Sequence, residues 1–74
     1  MDWRRTVGTN IRRLREERSL SQEELGFRAK IDFGYLGKIE RGMRNPSLER
    51  LGRIAEALEV DLTRLVERSG STSV

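Results

Sequence analysis

Cysteine and histidine are absent from the 74 residues, and proline occurs once, at Pro46. Without cysteine there is no disulfide, no thiolate nucleophile and no thiolate metal ligand. Without histidine the commonest zinc ligand and the usual general base near neutral pH are missing too. Carboxylates can still hold Mg or Ca, but no Asp-rich loop with the spacing of a calcium site is present. The expectation is a chain that is no enzyme and carries no cofactor. No apolar run exceeds two residues. Nothing here is long and apolar enough to span a membrane, and the Arg-rich start lacks the apolar core of a secretion signal. A cytoplasmic location is expected.

What the chain has is charge. Charged residues make up 36% of it and hydrophobic residues 35%. A chain this short buries only about 60% of its unfolded surface, so a single compact, sharply patterned core is all it can hold. Pairing of two copies would be a natural source of further stability. The net charge of +3 is unevenly spread: residues 1–44 hold 11 basic and 7 acidic side chains, residues 45–74 hold 4 and 5. Arg outnumbers Lys by 13 to 2, which suits bidentate contacts to phosphate or guanine. A GC-rich genome would produce the same excess of Arg, though not its asymmetry.

Five helical segments can be read from periodicity and capping residues. Val7, Ile11 and Leu14 form one stripe on a first helix from about Trp3 to Arg18, and Gly8 within it marks close packing. Leu20 turns back to the core. Ser21-Gln22-Glu23-Glu24 is a capping box opening a second helix, about Gln22 to Ala29, with Leu25 and Ala29 inward. Ile31 returns to the core after a break at Lys30. Asp32 caps a third helix, about Phe33 to Arg41, with Leu36 and Ile39 inward, and Gly42 supplies a left-handed stop. Ser47 caps a fourth, about Leu48 to Glu59, with a stripe of Leu48, Leu51, Ile54, Ala55 and Leu58. Asp61 caps a short fifth carrying Leu62, Leu65 and Val66. No strand pattern and no repeat is visible. The expected architecture is all-α, five short helices around one core over residues 1–68, with a small, polar, disordered tail over 69–74.

Within this plan residues 21–42 stand out. Two short helices flank a brief break, and the second carries Lys38 and ends in Arg41-Gly42. That is the layout of a helix-turn-helix, which sets its second helix in the major groove of DNA. The first-helix Ile-Arg-Arg-Leu-Arg, then Leu20-Ser21-Gln22-Glu23-Glu24-Leu25, Ile39-Glu40-Arg41-Gly42, Asn45-Pro46-Ser47-Leu48 and Ile54-Ala55-Glu56-Ala57-Leu58 resemble the XRE family, the phage-repressor and Cro type of helix-turn-helix. The resemblance runs from about Val7 to Val66. It implies a lambda-repressor-like DNA-binding domain. Asp32-Phe33-Gly34-Tyr35-Leu36 with Glu40-Arg41-Gly42-Met43-Arg44-Asn45 looks most like the small controller proteins of restriction-modification systems. Three departures from the family pattern cover four positions. Gly26 replaces a common Ala, Lys30 occupies a turn where Gly is common, and Phe33 and Gly34 stand where many relatives carry polar base-reading side chains.

The resemblance implies binding of double-stranded DNA by Ser21, Gln22, Phe33, Gly34, Tyr35, Lys38, Arg41, Arg44 and Asn45. Ser21 and Gln22 open helix two, where free amides favour a phosphate; Gln22 is otherwise a plain helix-starting polar residue. Arg41, Arg44 and Asn45 would hold the backbone beyond helix three. Phe33, Gly34, Tyr35, Gly37 and Lys38 are read as the outward side of that helix. Lys38 is either a guanine contact or a phosphate-facing or solvated cation. Tyr35 either stacks or hydrogen-bonds at the backbone, or is part of the core. Family position also pairs Arg15 with Glu40, fixing helix three to helix one; the plainer reading is two independent surface charges. A module this small implies a homodimer on a palindrome. Val60, Leu62, Leu65 and Val66 are the candidate self-contact, although Leu62 and Leu65 also suit the core. The implied role is a transcriptional regulator, with Glu23 and Glu24 offering RNA polymerase an acidic patch. The alternatives are an antitoxin-like module that sequesters a partner protein and a bare structural bundle.

Overall fold

A computed structural model describes residues 2–68. The expected tail, residues 69–74, lies outside them. Five helices follow in order: α1 Trp3–Glu17, α2 Gln22–Ala29, α3 Phe33–Glu40, α4 Leu48–Leu58 and α5 Thr63–Val66. Three ends fall one residue short of expectation, within the fraying of helix termini. Side-chain caps set the starts. Asp2 accepts from the amide of Arg4, Ser21 from Glu24, Asp32 from Tyr35 and Ser47 from Arg50. At α5 the cap position falls on Leu62, which makes no side-chain cap. The expected cap, Asp61, stands one residue earlier and accepts from the amide and hydroxyl of Thr63.

The first four helices all close in the same way. After α3 the amide of Gly42 donates to Ile39 O and that of Met43 to Lys38 O, with Gly42 at φ 76°. This is the Schellman closure, in which a left-handed residue turns the chain back over the last carbonyls. Ser19, Lys30 and Glu59 take that left-handed position after α1, α2 and α4, at φ 55°, 59° and 60°. Each non-glycine costs about 1 kcal/mol there. The residues that follow them, Leu20, Ile31 and Val60, turn inward, so burial offsets the strain.

The core is a single cluster in which Ile11, Leu14, Leu25, Leu36, Ile39, Ile54, Leu58 and Leu65 are fully buried. Each contributes about 1.5–3 kcal/mol by leaving water. Leu48 does not join the expected stripe of α4. It is the first residue of the helix and 71% exposed, because the stripe rolls away from the core one turn before Leu51. Helix α3 rests on α1 and α2, while α5 rests on α1 and α4. Gly8 permits the first of these contacts. A Cβ there would run into the carbonyl oxygen of Ile39 and lie 2.6 Å from that of Glu40. Gly26 does the same between α2 and the start of α3, where a Cβ would lie 2.7 Å from Ile31 O. Among the described residues no helix is long and apolar enough to cross a membrane.

Candidate nucleic-acid interface

Helix α3 presents one side to solvent because Leu36 and Ile39 commit the other to the core. Gly34, Lys38 and Arg41, spaced four and three apart, share a stripe along it and are all exposed. Phe33 is 50% exposed at its start. Tyr35 is half-buried and packs against the core edge. Arg44 and Asn45 are exposed in the loop beyond. Gly37 departs from expectation. It is buried, and a Cβ there would touch the amide group of Gln22 at 3.4–3.5 Å and Arg41 Nη1 at 3.5 Å. Only Gly34 therefore leaves α3 backbone open, with Asp32 Oδ2 the one near atom, at 3.0 Å from an added Cβ.

Beneath this face lies a buried polar knot. Glu40 closes α3 with its side chain only 2% exposed. It accepts from Arg15 Nε at 2.7 Å and Nη2 at 3.0 Å, and from Gln22 Nε2 at 3.0 Å. Arg15 spends its remaining guanidinium nitrogen on Leu20 O at 2.8 Å. The hydrogen bond to Glu40 raises the Arg15 pKa above its ordinary value, against the opposing effect of burial. The expected pair is thus present as a bidentate bridge, the geometry that makes such pairs strong. Gln22 is the addition. Glu40 ties it down, so its amide is held at the edge of the α3 face. Ser21 is spent on the capping box, its amide donating to Glu24 Oε1 at 2.8 Å and its hydroxyl accepting from Glu24 N at 3.0 Å.

Charge is distributed accordingly. In α1, Arg12, Arg13 and Arg15 each pair with a carboxylate. Among the described residues, Lys38, Arg41, Arg44 and Arg50 have no ion-pair partner, and neither do Arg5, Arg28 and Lys30. The first four gather on and beside α3, which gives that side positive charge without paired carboxylates. Arg50 was not anticipated. It opens α4, and its guanidinium carbon lies 5.1 Å from the centre of the Tyr35 ring. No spacing rule signals a contact between helices 15 residues apart in sequence; only the folded packing does.

The candidate self-contact lies elsewhere, at the end of α4 and on α5. Val66 is 37% exposed, and Val60 and Leu62 are half-buried against the core. Leu65 is corrected. It is fully buried within the single subunit, so it supports that surface from below and cannot reach a second copy. Asn10, also fully buried and not anticipated, holds this corner together: Nδ2 donates to Leu65 O at 3.0 Å and to Glu67 O at 2.7 Å.

A helix-turn-helix family model (HTH_3) matches residues 11–65. The chain belongs to that family. It is 43% identical over 72 residues to the uncharacterized HTH-type transcriptional regulator y4dJ of Sinorhizobium fredii, covering 97% of this chain and 94% of that one. It is 34% identical over 70 residues to the control protein C.SmaI of Serratia marcescens, covering 95% and 83%. Other relatives are longer: of the immunity repressor of Bacillus phage phi105, 41% identical over 61 residues, the chain spans 42%, while the match takes in 82% of this chain. Among solved structures, the restriction-modification controller protein C.AhdI from Aeromonas hydrophila superposes with a TM-score of 0.82 at 39% identity, covering 84% of this chain and 94% of that one. The biofilm regulator SinR in complex with DNA gives 0.79 at 32%, covering 82% and 98%. The five-helix architecture is thus that of helix-turn-helix DNA-binding domains.

Proposed function

We propose that this chain is a sequence-specific, double-stranded DNA-binding transcriptional regulator, cytoplasmic and without catalytic activity, of the restriction-modification controller kind. The observation that carries the reading is the exposed α3 face. Its cations lack carboxylate partners, and Gln22 is locked beside it by the buried Arg15–Glu40 bridge. In this reading α3 enters the major groove, where Lys38 reaches guanine O6 and N7 and Gly34 lets the backbone come close. Arg41, Arg44, Asn45 and the start of α2, with Gln22 and the hydroxyl proton of Ser21 that the two capping-box hydrogen bonds leave free, hold the phosphates. Phe33 packs on a thymine methyl and Tyr35 flanks it. Two copies meet through Val60, Leu62 and Val66 and read half-sites about one turn apart. Glu23 and Glu24, with Phe27 beside them at 87% exposure, form an acidic and apolar patch on α2 suited to RNA polymerase.

Selection from a random duplex pool, followed by footprinting at several salt concentrations, tests this. The expected result is an enriched palindrome whose affinity falls about 10³-fold or more between 50 and 200 mM salt. No enrichment, or salt-insensitive binding, would remove the reading and favour the antitoxin-like alternative, for which the Phe27 patch is the natural contact.

A further inference from the structure

Tyr35 carries two guanidinium groups. Arg44, from the loop between α3 and α4, lies with its central carbon 5.4 Å from the ring centre, and Arg50, from the first turn of α4, at 5.1 Å. Both distances are within the range of a cation–π attraction. Neither guanidinium has a hydrogen-bond acceptor or a carboxylate among the described residues. Two like charges gathered on one ring repel each other, and the ring's attraction at a partly exposed site offsets this only in part. Anionic oxygens within reach of each would relieve that repulsion and satisfy their free donors. The ring also restricts where each guanidinium can sit, which lowers the ordering cost of meeting those oxygens.

Resting on the DNA-binding reading above, we propose that Tyr35 is a stacking platform that holds Arg44 and Arg50 as a two-guanidinium clip on the phosphate backbone of duplex DNA. Arg50 thereby extends the interface from α3 onto α4. Phosphate fits the clip because a planar guanidinium presents paired N–H donors to its oxygens. Arg50 positions the domain and does not read sequence.

The probe is a duplex selected by the wild-type protein from a random pool, with a shuffled duplex beside it, titrated by fluorescence anisotropy over a salt series. Arg50→Ala is expected to weaken binding to both duplexes on the order of tenfold, leaving their affinity ratio unchanged. It should also reduce the slope of log K against log salt by about 0.9, one phosphate's worth. The Arg50→Ala effect should persist in a Tyr35→Phe background, which keeps the ring, and shrink in Tyr35→Leu, which removes it. Arg50 is exposed, so Arg50→Ala folds; if Tyr35→Leu does not, the slope change and the Tyr35→Phe background decide. An unchanged slope for Arg50→Ala, a changed affinity ratio, or an undiminished effect in a folded Tyr35→Leu protein would overturn the clip. A wild type that binds duplex while Arg50→Ala matches it removes the clip alone, whereas a wild type that binds no duplex removes the DNA-binding reading with it.

Discussion

Glu40→Ala should be among the most damaging single substitutions in this protein, for a reason that can be worked through. The mutation deletes three accepted hydrogen bonds, two from Arg15 and one from Gln22. It leaves the Arg15 guanidinium, its side chain 12% exposed, with Leu20 O as its remaining acceptor. Removing one partner of a buried pair costs about 3–5 kcal/mol, because a charge stays buried without compensation. A chain of this length has a total stability of about 4–11 kcal/mol, so from about a quarter to all of it would be lost. Urea unfolding followed by circular dichroism reads the loss, and the melting temperature should fall by about 12 °C or more. Glu40→Gln, which keeps the shape and one acceptor, should lose less. The double variant Arg15→Ala/Glu40→Ala should lose less than the sum of the singles, since the orphaned charge is gone. A loss below about 1 kcal/mol for Glu40→Ala, the range of an exposed pair, would refute the buried-bridge argument.

Other perturbations have equally definite outcomes. Gly8→Ala must push α3 off α1 and should cost about 1–3 kcal/mol, whereas Gly52→Ala, with nothing within 4 Å of its added Cβ, should stabilise by up to about 1 kcal/mol; urea midpoints of the two should move in opposite directions. Asn10→Ala leaves the Leu65 and Glu67 carbonyls without their donor and should cost about 1–3 kcal/mol, with Asn10→Asp worse because a carboxylate would face both oxygens. An Asn10→Asp protein as stable as wild type would contradict the clamp. For pH, Glu24 and Asp61 are held below their ordinary values of 4.5 and 3.8, chiefly by hydrogen bonds from the backbone of Ser21 and of Thr63. A depressed carboxylate stabilises the fold fully above its unfolded pKa and loses that contribution as pH falls through the folded one. Stability should therefore decline below about pH 4.5, and Glu24→Gln should flatten part of that decline; an unchanged profile would count against the capping box.

The helices and their starts were legible in the sequence because caps and amphipathic stripes are local. Ser21 to Glu24, Asp32 and Ser47 sit where their hydrogen bonds require. The Arg15–Glu40 bridge was open to inference only through family resemblance, since no spacing links residues 25 apart. Features made by packing were not legible: Gln22 donating to Glu40, Asn10 clamping α5, Arg50 reaching Tyr35. The burial of Gly37 was missed because a glycine in a short helix carries no mark of its face. Leu65 fitted either a core or an interface on pattern alone, and the contacts of α5 with α1 decide for the core. Ser19 and Glu59 hide their left-handed conformation because their residue types do not advertise it, whereas Lys30 betrayed its own by standing where the family favours Gly.

The central claim is that the outward side of α3 is the DNA-binding surface. Amide and side-chain NMR shifts of the full chain, followed while the selected duplex is titrated in, test it most directly. The account predicts the largest changes at Gln22, Gly34, Tyr35, Lys38, Arg41 and Arg44, with the core signals of Ile11 and Leu58 little moved. Changes confined to Val60, Leu62 and Val66, or to Phe27 and its neighbours on α2, would contradict it.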